Sequence, residues 1–465
     1  MVVVVDSSTS SSVSSSENDS CKEEQSSLPI MVGYAFGPKK MSTMKQVMKD
    51  ASNSISEKTI QFVSLDLNCP LHPQQHDVET SFDVILHKMT EDILLLSNLS
   101  SDKEKEAGQG MILTNHDNNE TDIIKKAQWR IQQLVSYKES VPSCRLIDHP
   151  KDVKTLLCRS DTSHMLSQCL VNVTTKTYKI HVRTPNFQIV HHPNQCQELF
   201  NNNNNTNNNN NNNSTMLTFP LIAKPLVAAG TVQSHKMIII RRRDGMDKIT
   251  IPCLLQEYVN HNEQLFKVYV LGDHVWVFAR QSLPDLPHGE GSTSDNMEYD
   301  DSFLEFDSQK TYPSLSDFHI NTTTTTTTTS TDYDTKRSSS DNTSSGKEPI
   351  IRNNTNHKNK ESNCPFVIPD ELKPDEIRPI VEAIRNAFSI DLFGFDLLMT
   401  TELRQSTTTT TENNHRTKEL LVVDVNYFPS YKEVNNFPFV LANYLLQKGM
   451  EGRNRANNNS IRTIQ

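Results

Sequence analysis

Homopolymeric tracts set the first limit on how this chain can fold. Asn201–Asn213 is asparagine interrupted once, by Thr206. Thr322–Thr329 is unbroken threonine, Thr407–Thr411 is a second threonine run, and serine dominates the first 28 residues. Such segments lack the apolar surface that offsets the entropy of ordering a backbone. The fold must therefore accept interruptions, and its packed parts lie in the islands between them. Composition agrees: 35% of the chain is hydrophobic and glycine adds only 13 of 465 residues, against about 45–50% apolar, glycine included, for an ordinary globular protein. Setting aside about 150 biased residues leaves roughly 315, enough for two or three packed units.

Several classes drop out. No stretch approaches the ~20 apolar residues of a membrane helix. Met1–Val5 is apolar, but Asp6 and serines follow, which is too short and too acidic a start for a signal peptide. The eight cysteines (Cys21, Cys69, Cys144, Cys158, Cys169, Cys196, Cys253 and Cys364) form no CxxC pair or metal spacing, so they read as reduced thiols of a cytoplasmic protein with no membrane association. The formal net charge of −10 argues against nucleic-acid binding, which needs a net basic face. It leaves room for a local basic pocket that takes a small anion.

The islands alternate in period. Ile30–Tyr34, Thr59–Leu67 and Phe82–Leu86 read as strands, Met41–Ala51 and Thr121–Tyr137 as helices, an α/β layer with parallel strands. Val153–Cys169 reads as helix, with Asp161 and Thr162 as candidate interior caps. Lys179–Val182, Phe219–Ala223, Met237–Arg241, Ile251–Val259 and Phe266–Val277 read as strands. Residues 287–362 are polar and read as a long disordered insert. Glu371–Phe388 is an amphipathic helix, Leu392–Met399 and Leu420–Asn426 are paired strands, and Phe437–Leu446 is a closing helix.

Three features carry chemistry. Two strand ends read Leu392-Phe393-Gly394-Phe395-Asp396 and Val423-Asp424-Val425-Asn426. Residues two apart share a strand face, so Asp424 and Asn426 point together and a neighbouring strand can bring Asp396 alongside. Two carboxylates and an amide oxygen are hard ligands suited to Mg²⁺; an ordinary acidic strand end is the competing reading. Next, Phe219–Pro225 ends an apolar run on Lys224, and the following segment to Ser234 contains Gly230. A lysine there can meet nucleotide phosphates, or be solvated. It is no Walker loop, since GxxxxGK[ST] is absent. Finally, Leu255–Val259 can present its backbone to an adenine edge, and Lys267 sits inside the next apolar run, where a cation either snorkels or meets an anion.

Together these segments resemble the inositol 1,3,4-trisphosphate 5/6-kinases, also called inositol-tetrakisphosphate 1-kinases, of the ATP-grasp fold. The resemblance is carried in order by VGYAFGPKK (32–40), DVILHKMT (83–90), LLCRSD (156–161), FPLIAKPLVAAGTVQSH (219–235), PCLLQEYVNHNEQLFKVYV (252–270), ARQSL (279–283), LFGFD (392–396) and DVNYFPSY (424–431). It implies an α/β (α+β) protein in which an N-terminal α/β domain joins two β-rich lobes enclosing ATP. The expected units are a disordered serine-rich tail (1–28), an N-terminal inositol-phosphate-binding domain (29–150), a central lobe (151–255) with the asparagine insert 201–213, a C-terminal lobe (256–450) with the insert 287–362, and a disordered tail (451–465).

The resemblance also implies roles. Arg159 and Lys224 contact ATP phosphates, Gln256, Glu257, Tyr258 and Val259 hold adenine, and Ser282 and Lys267 add nucleotide contacts. Asp396, Asp424 and Asn426 hold two Mg²⁺ ions. Lys40, Lys88, His235 and Lys267 grip the inositol phosphate, with Asn426 and Ser430 bordering it. Lys224, Asp396 and Asp424 form the catalytic set; a general base is either Asp396 or absent. Partners are ATP as co-substrate and inositol polyphosphates, on a monomer. The chain departs from the family at Ser430, where glycine is frequent, and at Ala228-Ala229, where relatives carry a polar residue. The alternatives are an ATP-grasp carboxylate–amine ligase and a binder that has lost catalysis. Lys40 and Lys88 suit a polyanion rather than a ligase substrate, and the intact acidic set argues against a pure binder.

Overall fold

The computed structural model describes residues 28–57, 59–71, 81–97, 118–201, 217–287, 302–318, 367–400 and 418–464. The serine-rich start up to 27, most of the asparagine tract and both threonine runs lie outside them. The described chain forms three sheets. The first is wholly parallel, in the order β2 (Ile60–Ser64), β1 (Ile30–Phe36), β3 (Val84–Lys88), β4 (Arg145–Ile147). Parallel strands are covered on both faces and so read as continuous apolar runs; β1 is IMVGYAF, buried at all but one position. Helices α1 (Pro38–Ser54) and α2 (Asn118–Ser140) flank this sheet.

The second sheet runs β11 (His274–Gln281), β10 (Gln264–Leu271), β13 (Leu392–Met399), β14 (Glu419–Tyr427), β5 (His181–Arg183). The third runs β12 (Phe303–Asp307), β8 (Lys236–Ile240), β7 (Leu221–Pro225), β9 (Cys253–Glu257), β6 (Phe187–Val190). Their pairings are antiparallel except β14 with β5. The largest apolar core joins the first and second sheets, while a separate cluster fills the third. Helix α5 (Pro193–Asn201) follows β6, and the expected helical stripe is present on α6 (Arg378–Phe388), where Ile380, Val381, Ile384 and Phe388 are buried.

Four expectations are corrected. The helix expected over Val153–Cys169 is two, α3 (Pro150–Thr155) and α4 (Arg159–Cys169). The break is paid for by loop pairing: Arg159 N donates to Leu226 O (2.7 Å) and Ala228 N to Leu157 O (2.9 Å). The run Phe266–Val277 is β as expected, and forms a hairpin of β10 and β11 turning at Gly272 with φ +54, where a Cβ would also strike the Tyr444 ring. The polar insert 287–362 contains β12, which pairs Phe303–Asp307 with Ile240–Lys236 on β8. The tail 451–465 is not disordered where described: α7 (Phe437–Ile464) continues through it. Arg453 Nε and Nη2 bind both carboxylate oxygens of Asp83 at 2.6 Å, and Arg453 also donates to Leu28 O and Pro29 O. Further, β5 joins the second sheet and β12 the third, so the two lobes do not divide at 255/256.

Candidate functional site

The strand register assembles the acidic set. Lys267 on β10 pairs with Asp396 on β13, which pairs with Asp424 on β14; Gly394 pairs with Asn426 one step along. The three expected oxygen ligands therefore lie on adjacent strands. Gly394 permits this closeness, since a Cβ there would stand 2.9 Å from Val268 O. Lys267 Nζ lies 3.5 Å from Asp396 Oδ1, an atom buried without a hydrogen-bond partner. Burial raises the Asp396 carboxyl pKa above its ordinary value, with Lys267 opposing and Asp424 adding to the shift. An orphaned buried carboxylate oxygen beside a second carboxylate and an amide fits a hard divalent cation. Among the described residues no three His, Cys, Asp or Glu side chains converge as a metal cage; the third member of this trio is the Asn426 amide.

Lys224, near the end of β7, is buried, and its Nζ stands 3.5 Å from Val423 O. Burial pulls its pKa down to about 8, with Asp424 opposing. Arg159, at the start of α4, lines the same cavity as Lys224 and is anchored by backbone carbonyls. Its Nη1 donates to Pro225 O (2.7 Å) and Val227 O (2.9 Å), and its Nη2 to Ser234 O (3.0 Å). It therefore pins the segment that follows Lys224.

Gln256–Val259 leaves β9 at the wall of a cavity of about 670 Å³, which Lys224, Ser282, Lys267, Asp396, Asp424 and Asn426 also line. Side chains lock this wall. Glu257 meets Arg183 Nη1 at 2.5 Å and Asn186 Nδ2 at 2.8 Å, and Tyr258 Oη donates to Pro284 O. The backbone is held too: Glu257 N donates to Asn186 O (2.9 Å) and Tyr258 N to Pro220 O (3.2 Å). Ser282 Oγ lies 2.8 Å from Nε2 of His261, whose Nδ1 donates to Val259 O at 2.6 Å. His261, assigned no role from the sequence, is buried and couples Ser282 to the wall.

A second cavity, of about 1050 Å³, adjoins the first and contains Lys39 and Lys40. Lys88, His235, Gln309 and Ser430 line both. Lys40 Nζ donates to Pro429 O (3.0 Å) and sits 4.2 Å from the centre of the Phe428 ring. Lys88 Nζ donates to Tyr427 O (2.9 Å) and Phe428 O (2.7 Å). Both lysines thus leave the first sheet's side of the molecule and meet the loop after β14. Burial draws Lys40 down to about 7, Lys88 adding to the shift, and burial draws Lys88 down to about 8. His235 lies 3.0 Å from Gln309 Nε2.

The structure brings together every expected site residue along these two cavities. It adds Arg280, tied to Glu433 and 3.4 Å from Tyr269 Oη, and the segment Ser308–Tyr312. Burial, then Asp396 and Asp424, push the Tyr312 phenol up to about 12. Arg280 lies in the ARQSL segment and was within reach of sequence reasoning; Tyr312 lies inside the polar insert and was not.

Comparison with known proteins gives a consistent picture. A family model described as the inositol 1,3,4-trisphosphate 5/6-kinase ATP-grasp domain matches residues 186–308 and 313–447. The corresponding pre-ATP-grasp domain model matches residues 31–153. Inositol-tetrakisphosphate 1-kinase 1 of Zea mays is 29% identical over 49% of this chain and 50% of its own length. The chain spans about half the length of the plant relatives it matches. Inositol-tetrakisphosphate 1-kinase of Danio rerio is 24% identical over 87% of this chain and 76% of its own, and that of Xenopus laevis 25% over 91% and 81%. Among solved structures, D-alanine–D-alanine ligase from Bacillus anthracis aligns with TM-score 0.40 and 10% identity, over 92% of this chain and 100% of its own.

Proposed function

The chain belongs to the inositol 1,3,4-trisphosphate 5/6-kinase family of ATP-grasp proteins, and from that premise we propose that it is an ATP-dependent inositol polyphosphate kinase. It moves the γ-phosphate of ATP to the 5- or 6-hydroxyl of inositol 1,3,4-trisphosphate, to the 1-hydroxyl of inositol 3,4,5,6-tetrakisphosphate, or to both. One observation carries the reading: the nucleotide-sized cavity and the lysine-bearing cavity share Lys88, His235 and Ser430 at their junction, beside Asp424 and Asn426. A phosphate donor in one and a polyanionic acceptor in the other would meet there.

In this reading Gln256–Val259 present backbone groups to adenine, and Ser282, held by His261, closes that end. Lys224 reaches the transferring phosphates, on a loop that Arg159 holds in place. Asp396, Asp424 and Asn426 would hold two Mg²⁺ ions, which would supply neutralisation of charge on the transferring phosphoryl group. Lys40, Lys88, Lys267 and His235 bind the acceptor's phosphates from separate elements, so that its hydroxyl is held in line. Positioning and electrostatics supply the catalysis, without a covalent enzyme intermediate. Ser430 narrows the acceptor site beside Lys88. The lysines drawn from the first sheet's side favour this chemistry over carboxylate–amine ligation. The test is incubation with ATP, Mg²⁺ and a panel of inositol phosphates, with isomers resolved. The expected product carries one more ring phosphate; phosphate release with amide formation, or no transfer to any isomer, overturns the reading.

A further inference from the structure

The two cavities belong to different sheets, so some contact must set the distance between their residues. Asp148, immediately after β4, is buried between the first and second sheets. Its Oδ1 accepts from Asp391 N (2.9 Å) and its Oδ2 from Leu392 N (3.1 Å). Leu392 begins β13, which carries Asp396. The backbone of Asp148 faces the other way. Its N–H donates to Tyr427 Oη (3.2 Å), Tyr427 Oη donates to His87 O (2.7 Å), and His87 Nε2 donates to Asp148 O. His87, Asp148 and Tyr427 thus close a hydrogen-bonded circuit in which every partner is buried.

The neighbours of that circuit are site residues. His87 precedes Lys88 on β3, and Tyr427 follows Asn426 on β14. Lys88 Nζ in turn donates to Tyr427 O. The carboxylate anchors Asp148 to the start of β13, and the backbone of the anchored residue holds Tyr427 and His87; loosening the anchor would change the placement of Lys88 against Asn426, whereas the wall residues Gln256 and Glu257 lie on the third sheet. We propose that Asp148 is a positioning residue for the acceptor site: its carboxylate fixes its backbone, which through Tyr427 and His87 holds Lys88 in register with Asn426. The inference rests on the kinase reading above.

Steady-state kinetics of the full chain test it, with inositol 1,3,4-trisphosphate and ATP each varied against Asp148→Asn. An amide keeps the shape but offers one acceptor oxygen where two N–H groups need one each. The KM for the inositol phosphate should rise about 10-fold, as expected when a binding group is displaced, while the KM for ATP changes less than about 2-fold. Tyr427→Phe removes the hydroxyl from the circuit and keeps its packing; it should raise the same KM, and it carries the test if Asp148→Asn does not fold. Equal rises in both KM values, or unchanged KM values with only a smaller active fraction, would overturn the proposal. A wild-type chain that phosphorylates no inositol phosphate removes the kinase reading and the proposal with it. A wild-type chain that does so, beside variants with unaltered KM values, removes only the role of Asp148.

Discussion

Lys40 and Lys88 are lysines whose charge depends on what occupies their cavity. Burial holds them at about 7 and about 8 in the unliganded protein, below the ordinary lysine value of about 10.4. The sign follows directly. Each is protonated below its folded pKa and loses its charge as pH rises through it, while a polyphosphate favours the charged form. Binding an inositol phosphate should therefore take up protons between about pH 7 and 9, and affinity should fall across that window. Calorimetry in buffers of different ionisation enthalpy measures this uptake; Lys40→Ala should reduce it and raise the acceptor KM more than the ATP KM. Proton-neutral binding with wild-type affinity at pH 9 would contradict the assignment. Depressed lysine pKa values also mean that the charged forms cost stability below about pH 7, a cost that lifts as pH rises towards 10. The shared face of Asp424 and Asn426 was legible from strand alternation, because two-residue spacing fixes it; Asp396 beside them depended on which strands pair, and the register pairs it with Asp424. The structural use of Arg159 was not legible, because its partners are backbone carbonyls of Pro225, Val227 and Ser234, far along the chain.

At the scale of elements, apolar period exposed the strands that bury two faces and missed those that bury one edge. β12 was hidden because FLEFD (303–307) is five residues inside a polar insert, and its partner β8 is distant in sequence. The continuation of α7 was hidden for a related reason. Past Leu446 its sequence is polar, and what holds it is the first sheet: Gly449 lies so near Ile30 that a Cβ would stand 2.5 Å from its side chain. The Arg453–Asp83 pair then ties that helix to the loop before β3. Breaking a largely buried, hydrogen-bonded ion pair leaves a carboxylate without its cation. Arg453→Ala should accordingly cost about 2 kcal/mol in urea unfolding, with the site residues unaltered. A loss of activity per folded molecule, with stability unchanged, would contradict a purely structural role.

For the whole molecule, the site residues fall between the homopolymeric tracts in sequence. The described islands bring residues from Lys40 to Ser430 into two adjoining cavities, while the long biased runs lie outside the described residues. The net charge of −10 is a sum over the chain; the cavities concentrate Lys40, Lys88, Lys224 and Lys267, and local field rather than total charge governs capture of a small anion. Family membership was legible because the matching segments come in order; the division into lobes was not, because β5 and β12 each join a sheet remote in sequence. No helix among the described residues is long and apolar enough to cross a membrane. The proposed reaction is phosphoryl transfer at the junction of the two cavities. It is tested most directly by counting ADP and phosphorylated inositol formed together from inositol 1,3,4-trisphosphate, in wild type and Asp424→Ala. Wild type should form one ADP per added ring phosphate, and the folded variant should lose at least about 100-fold. ADP formed without a phosphorylated inositol, or full transfer by Asp424→Ala, would contradict it.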